Sequence, residues 1–300
     1  MARILLLGST GFVGRAVAHK FLDSGHQLRV LVRDPMKAAA FKVRGGQVVV
    51  GDALDPATVV QAAQGVEHIV SLIAVRRNRP QSYLTVNVDG PRMLGEAAKA
   101  AGARSVVLVS AIGSKLDPHY RYLTSRWMGE QELAKTGVAG TILRFSLILG
   151  ADGGILDDFD RMANFGPVMV IPGSGQARMQ PILLEDAARC IVEATGKPEL
   201  LGKIIELGGP EVVTFETILG WYTQARGIKK RKVKLPGGLL IPGAIVMEAL
   251  LKDPITTPDE IRTIQVDNLA AGIDSVSSQF GWRPGAPSAW APANWTRRSH

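Results

Sequence analysis

The chain has 300 residues, of which 46% are hydrophobic and 21% charged, with glycine and proline spread along its length. That composition describes a globular protein with a sizeable core and excludes both a disulfide-stapled miniature fold and a disordered chain. One cysteine, Cys190, permits neither an intrachain disulfide nor a cysteine-rich metal site and fits a reducing, cytoplasmic compartment; the five histidines are dispersed and imply no metal. Of the net charge of +8, most is local, because Arg226–Lys234 carries six cations and no acid.

In chain order, short apolar runs at Ile4–Leu7, Leu28–Val32, Val48–Val50, His68–Ile73, Ser105–Val109 and Thr141–Leu143 read as strands. The first is reached with no basic leader and apolar stretch before it, so no secretory signal is expected. Between the runs lie apolar residues at helical spacing, for instance Val13, Ala16, Val17 and Phe21, then Leu94, Ala97, Ala98 and Ala101. Strands apolar on both faces and separated by helical crossovers predict an α/β fold, a doubly wound parallel sheet with helices on both faces. Ligands of such sheets bind at the carboxyl edge, where the strand order reverses.

After Gly150 the chain is punctuated by glycine and proline, which predicts a smaller lobe over residues 151–300, with some elements returning to the sheet. Helices are expected near Leu156–Phe165, over Leu184–Thr195, and from Phe215 with Thr214 as its cap; a short strand is expected at Lys203–Leu207. The segment Leu235–Leu251 is apolar but too short and too broken by Pro236, Gly237, Gly238, Pro242 and Gly243 to cross a bilayer. Packing of Leu239, Ile241, Ile245 and Leu250 in the core of the lobe is the simpler reading. The other is that Arg226–Leu251 seats the chain peripherally on a membrane surface or a membrane complex. Nucleic acid is not an expected partner, since aromatic residues at 6% offer no stacking platform. The tail Gly281–His300 reads as an extended arm.

Gly8, Ser9, Thr10, Gly11, Phe12, Val13 and Gly14 follow the first strand and open a helix. Glycines at this spacing permit a tight turn, bring backbone close to a pyrophosphate and let helix pack on strand, while the helix terminus offers free amides to the anion. Residues 1–150 therefore read as a dinucleotide-binding Rossmann domain. At the tip of the second strand, Arg33, with Lys37 beyond it, is placed to pair with the extra phosphate of NADP(H); Asp34, if turned inward, would favour NAD(H) instead. Asp52, with Ala53 beside it, follows the third strand and is expected either at the adenine or as the cap of the helix starting near Pro56.

Together with Val86–Gly90 (VNVDG) and Val107–Gly113 (VLVSAIG), these stretches resemble the extended short-chain dehydrogenase/reductase superfamily. More narrowly, with Leu143–Gly150 (LRFSLILG), Gln180–Ala187 and Glu206–Phe215 (ELGGPEVVTF), the chain is similar to the atypical branch that contains the nucleotide-binding accessory subunit of respiratory complex I and its bacterial relatives. Active members of the superfamily use a Ser, a Tyr and a Lys. The resemblance puts Ser110 at the serine position as oxyanion donor, Tyr122 as the acid, and Arg126 where lysine is usual; Asn87 matches the Asn that supports the proton path. Phe145 stands where proline is usual. Tyr122 and Arg126, four apart, share one helical face, and a permanent cation there would lower the tyrosine pKa. The resemblance thus implies an NADP(H)-binding protein with an accessory or sensing role. Its alternatives are an NADPH-dependent reductase of a carbonyl, quinone or isoprenoid-like small apolar substrate, and an adaptor on a membrane complex.

Overall fold

The computed structural model describes residues 1–251 and 254–296. The elements of the first half are β1 (Arg3–Leu7), α1 (Phe12–Asp23), β2 (Gln27–Val32), α2 (Ala39–Val43), β3 (Gln47–Val50), α3 (Pro56–Ala63), β4 (His68–Ser71), α4 (Gly90–Ala100), β5 (Ser105–Ala111), α5 (Arg121–Lys135) and β6 (Gly140–Phe145). There follow β7 (Ile148–Leu149), α6 (Ile155–Phe165), β8 (Val168–Pro172), β9 (Arg178–Met179), β10 (Ile182–Leu183), α7 (Leu184–Ala194), β11 (Ile204–Leu207), β12 (Val213–Thr214), α8 (Phe215–Ala225), β13 (Arg231–Leu235), α9 (Gly237–Leu250), α10 (Pro258–Thr263), α11 (Ser275–Phe280) and α12 (Pro287–Asn294). Two compact units result, one of residues 1–116, 122–145 and 184–206, the other of 117–121, 146–183 and the chain from 207 onward.

The first unit is built on a seven-stranded parallel sheet in the order β11-β6-β5-β4-β1-β2-β3. All six strands expected in the first half are there, with β4 ending at Ser71 rather than Ile73 and β5 running on to Ala111. The seventh, β11, joins β6 through amide bonds from Ile142 to Lys203 O and from Ser146 to Leu207 O. β1 is the pivot, with Leu7 opposite Leu31 on one side and Ser71 on the other. The strand order reverses between β1 and β4, and their carboxyl ends frame the switch point where ligands of this architecture bind. Ile4, Leu5 and Leu6 are wholly buried, so both faces of the strand are covered, as parallel sheets require. On one face the cover is α3, α4 and the residues packed with them, including Leu94, Ala97 and Leu133. On the other, α7 packs on α1.

In the second unit, β8 pairs with β13, β7 with β10, and β9 with β12 around a core of Leu149, Phe159, Met169, Ile171, Ile218, Tyr222 and Trp295. Thr214 caps α8 as expected, its hydroxyl accepting from the Thr217 amide at 3.1 Å. Two expectations are corrected. The tail is not an extended arm: Pro287–Asn294 is helical and Trp295 is fully buried, its indole donating to Gly150 O at 2.8 Å. Its last four residues lie outside the described ones. Nor do the side chains of α9 form a core. Leu239 is 72% exposed, Ile245 53% and Leu250 78%; Ile241 is half-buried, and only Gly237 and Ala244 are buried. The helix is apolar on every side, so packing one narrow face against α10 leaves the rest in water.

Candidate functional site

The turn from β1 into α1 has a geometry only glycine permits. Gly8 sits at φ +85°, and a Cβ on Gly14 would lie 1.9 Å from Gly8 O, so helix and strand approach as closely as backbone allows. Gly11 N donates back to Gly8 O at 3.1 Å and closes the turn. α1 then starts at Phe12 with no side-chain cap and no acid in its first turn. Its leading amides, at Phe12, Val13 and Gly14, have no carbonyl within the helix to meet, and with the helix dipole such amides suit an anion. The Ser9 hydroxyl is fully buried and has no hydrogen-bond partner, a donor in want of an acceptor. Thr10, also in the turn, takes a bond from Arg15 on its carbonyl at 3.3 Å.

At the tip of β2, Arg33, Asp34 and Lys37 are all exposed. Asp34 does not turn inward. Its carboxylate accepts from the Met36 amide at 3.0 Å and caps the short helical turn Pro35–Ala38, while Arg33 and Lys37 are exposed beside it. After β3, Asp52 closes an Asx turn on the Leu54 amide at 2.9 Å. It does not cap α3: that cap is Asp55, which holds the Ala57 amide at 3.2 Å, because Pro56 fixes the first helical residue and so the capping position before it. Ala53 packs against the sheet core.

Beyond β4 a single turn of π-helix, Leu84–Asp89, carries Asn87. Its buried amide accepts from Val75 N at 2.9 Å and donates to Val75 O at 3.0 Å and to Ser125 Oγ at 2.9 Å, tying the loop after β4 to α5. α5 can come this close because residue 129 is glycine; a Cβ there would lie 1.9 Å from Asn87 O. In the structure Asn87 acts as a clamp between the loop after β4 and α5.

Ser110, the last residue but one of β5, is buried, with its hydroxyl donating to Glu130 Oε1 at 2.5 Å. Glu130 is fully buried and takes a two-pronged bond from Arg144, Nε at 3.0 Å and Nη2 at 2.6 Å, and Arg144 also faces Glu206 at 3.5 Å. Burial works against the Arg144 charge, but the two carboxylates outweigh it and raise its pKa above the ordinary value. Glu130 escaped the sequence reading, although its place one turn after Arg126 on the same helix was the available signal.

Tyr122 is half-buried on α5, its ring 6.2 Å from that of Tyr83. One turn on, Arg126 is only 3% exposed. One nitrogen, Nη2, donates to Val109 O, beside Ser110, which brings the cation to the end of β5; Nε and Nη1 have no partner. Buried guanidinium donors without acceptors are costly, and a folded chain tolerates them where something else supplies the acceptor. Phe145, at the end of β6, is buried and holds the Ile112 amide on its carbonyl at 3.0 Å.

The unmet donors in the phosphate turn and on Arg126 suit a dinucleotide, an acceptor-rich anion with ribose hydroxyls. Residues 8–155 match a family described as NAD(P)H-binding. A ceramide reductase of Caulobacter vibrioides is 30% identical over 81% of this chain and 77% of its own. The mouse mitochondrial NADH dehydrogenase (ubiquinone) 1 alpha subcomplex subunit 9 is 28% identical over 68% of this chain, but the match spans only 56% of that longer protein. A solved structure of an Escherichia coli NADPH-dependent quinone oxidoreductase with NADPH superposes with a TM-score of 0.73 over 97% of this chain and 99% of that one, a likeness of fold at 20% identity. Among the described residues no helix is long and apolar enough to cross a membrane, and no cluster of side chains is arranged to hold a metal. The chain belongs to the NAD(P)H-binding family, in the atypical extended branch of the short-chain dehydrogenase/reductases.

Proposed function

We propose that the chain binds NADP(H) in preference to NAD(H) and holds it as a structural or sensing group rather than as a reagent consumed in turnover. The observation that carries this reading is the commitment of Ser110: a hydroxyl that gives its proton to a buried carboxylate at 2.5 Å has none to give a substrate oxygen. The amides of Phe12, Val13 and Gly14 with Ser9 would hold the pyrophosphate. Arg33 and Lys37 would take the 2′-phosphate, with Asp34 withdrawn into its cap. Nε and Nη1 of Arg126 would meet ribose hydroxyls. The bound nicotinamide supplies a hydride reservoir.

The second reading, a reductase of a carbonyl, quinone or isoprenoid-like substrate, is favoured by the name of the Caulobacter relative. In it Tyr122 gives the proton, the buried Arg126 cation stands one turn away on the same helix, and Ser110 must first leave Glu130. Thermal shift with NADPH, NADH and no nucleotide tests the first claim. At one hundred times its dissociation constant a ligand stabilises by about 2.7 kcal/mol, and Arg33→Ala is expected to erase the preference for NADPH. Mixing the NADPH-loaded protein with a panel of carbonyls and quinones tests the second. Bound NADPH that stays reduced supports the holding role; single-turnover oxidation abolished by Tyr122→Phe replaces it with the reductase.

A further inference from the structure

The stretch that runs through β13 into α9 sets a cationic run beside an apolar helix. α9 has fourteen residues, and Glu248 is the one charged side chain among them. With Gly237 and Ala244 turned inward, the outward row runs Leu239, Pro242, Val246 and Leu250, with Leu239 72%, Val246 56% and Leu250 78% exposed. These stand three and four residues apart, so they form one continuous aliphatic stripe. Ile245 at 53% and Leu251 at 48% widen it. The stripe carries no hydrogen-bonding side chain and no aromatic ring. Protein interfaces are marked by aromatic and arginine anchors and by a hydrogen bond every ~100–200 Å², and this face offers neither. Acyl chains ask for nothing more than aliphatic surface.

The chain enters α9 through a cationic run. Of its six basic residues, Arg226 faces Asp160 at 3.7 Å, Lys230 is bound to the carbonyls of Ala163 and Gly166, and Lys234 pairs with Glu216 at 2.7 Å. Lys229, Arg231 and Lys232 have no carboxylate partner among the described residues, and Lys229 and Arg231 are exposed. Lys230 also anchors the run to the end of α6 through the carbonyls of Ala163 and Gly166. An apolar helix about 21 Å long cannot span a hydrocarbon core of about 30 Å, but it can lie along its surface.

We propose that Lys229–Leu251 is a membrane-docking surface: α9 lies in the plane of the bilayer with Leu239, Val246 and Leu250 among the acyl chains, and Lys229 and Arg231 face anionic headgroups. The proposal is independent of what the dinucleotide does. It is tested by floating the full chain with vesicles of equal parts phosphatidylglycerol and phosphatidylcholine, and with phosphatidylcholine alone. Wild type is expected to float with the mixed vesicles and to be released by salt. Lys229→Glu and Arg231→Glu should each weaken binding about fivefold or more, from the roughly fivefold that each cation near an anionic surface contributes. The pair Val246→Asp and Leu250→Asp should abolish binding with an unchanged unfolding midpoint, since both side chains are exposed; the milder pair Leu239→Ser and Leu250→Ser should weaken it in the same direction. Failure of wild type to float, or undiminished flotation of the aspartate pair, overturns the proposal. So does sedimentation without lipid as a dimer that the aspartate pair splits, because the stripe then serves a second copy of the chain.

Discussion

Replacing Arg126 by methionine should stabilise the protein without nucleotide and weaken its hold on NADPH, a pairing of signs that an ordinary structural arginine would not give. Methionine keeps much of the length and apolar volume while removing the charge. In the nucleotide-free protein, Nε and Nη1 are buried without acceptors, and each orphaned donor costs about 1–3 kcal/mol. Against that relief stands the lost bond from Nη2 to Val109 O, worth about 1.5–3 kcal/mol. Taken at the middle of both ranges, the balance favours the variant by about 2 kcal/mol, with a rise in melting temperature of about 2–4 °C for each kcal/mol. With NADPH present the orphans acquire partners in wild type alone, and its affinity should exceed that of the variant by about tenfold to a hundredfold, from one or two charge-assisted bonds. Calorimetric melting of both proteins across a nucleotide titration measures the two effects together. A variant that melts lower than wild type without nucleotide, yet gains the same shift from NADPH, would refute the assignment of Arg126 to the cofactor.

Other outcomes follow from the same structure. Gly14→Ala places a methyl 1.9 Å from Gly8 O, so α1 must back away from β1; the expected cost is about 1–3 kcal/mol of stability, read by urea unfolding, with NADPH binding lost by titration calorimetry. Glu130→Gln takes the charge from a fully buried carboxylate paired with a half-buried arginine and should cost about 3 kcal/mol, the low end for such a loss, because Glu206 still faces Arg144 at 3.5 Å; an unchanged urea midpoint would deny the pair its structural role. His68, half-buried on β4, has its pKa lowered from 6.5, chiefly by burial. Because the unfolded chain takes up the proton more readily, this contribution is complete above pH 6.5 and drains away as pH falls through the lower folded-state value. The unfolding free energy should therefore slope downward on acidification below about 6.5, and His68→Asn should flatten that part of the profile.

Most of the first unit was legible because its signals are local. A both-faces apolar run such as Ile4–Leu7 followed by spaced glycines reads as a buried strand entering a tight turn, and the structure has that strand and that turn. What escaped depends on partners distant in sequence. Glu130 meets Ser110 across twenty residues and Arg144 across fourteen, so neither the pair nor its grip on the serine hydroxyl has a pattern to betray it. Trp295 is tied to Gly150 across 145 residues, which a Pro- and Ala-rich tail does not announce. α9 failed for the opposite reason. Its composition is that of a core helix, and hydrophobicity alone cannot say whether the matching surface lies within the chain or outside it.

The strand β11 has a bearing on how the molecule is made. It completes the sheet beside β6 only after the polypeptide has departed through α6 and β8 and come home with α7, which settles on the same α1 whose leading amides suit an anion. A nascent chain emerging from the ribosome thus leaves one flank of α1 uncovered until α7 ends at Ala194, and one margin of the parallel sheet until β11 ends at Leu207. An amino-terminal fragment cut at the end of β6 would carry every glycine of the phosphate turn and still expose an apolar border of unpaired amides and carbonyls, a template for aggregation.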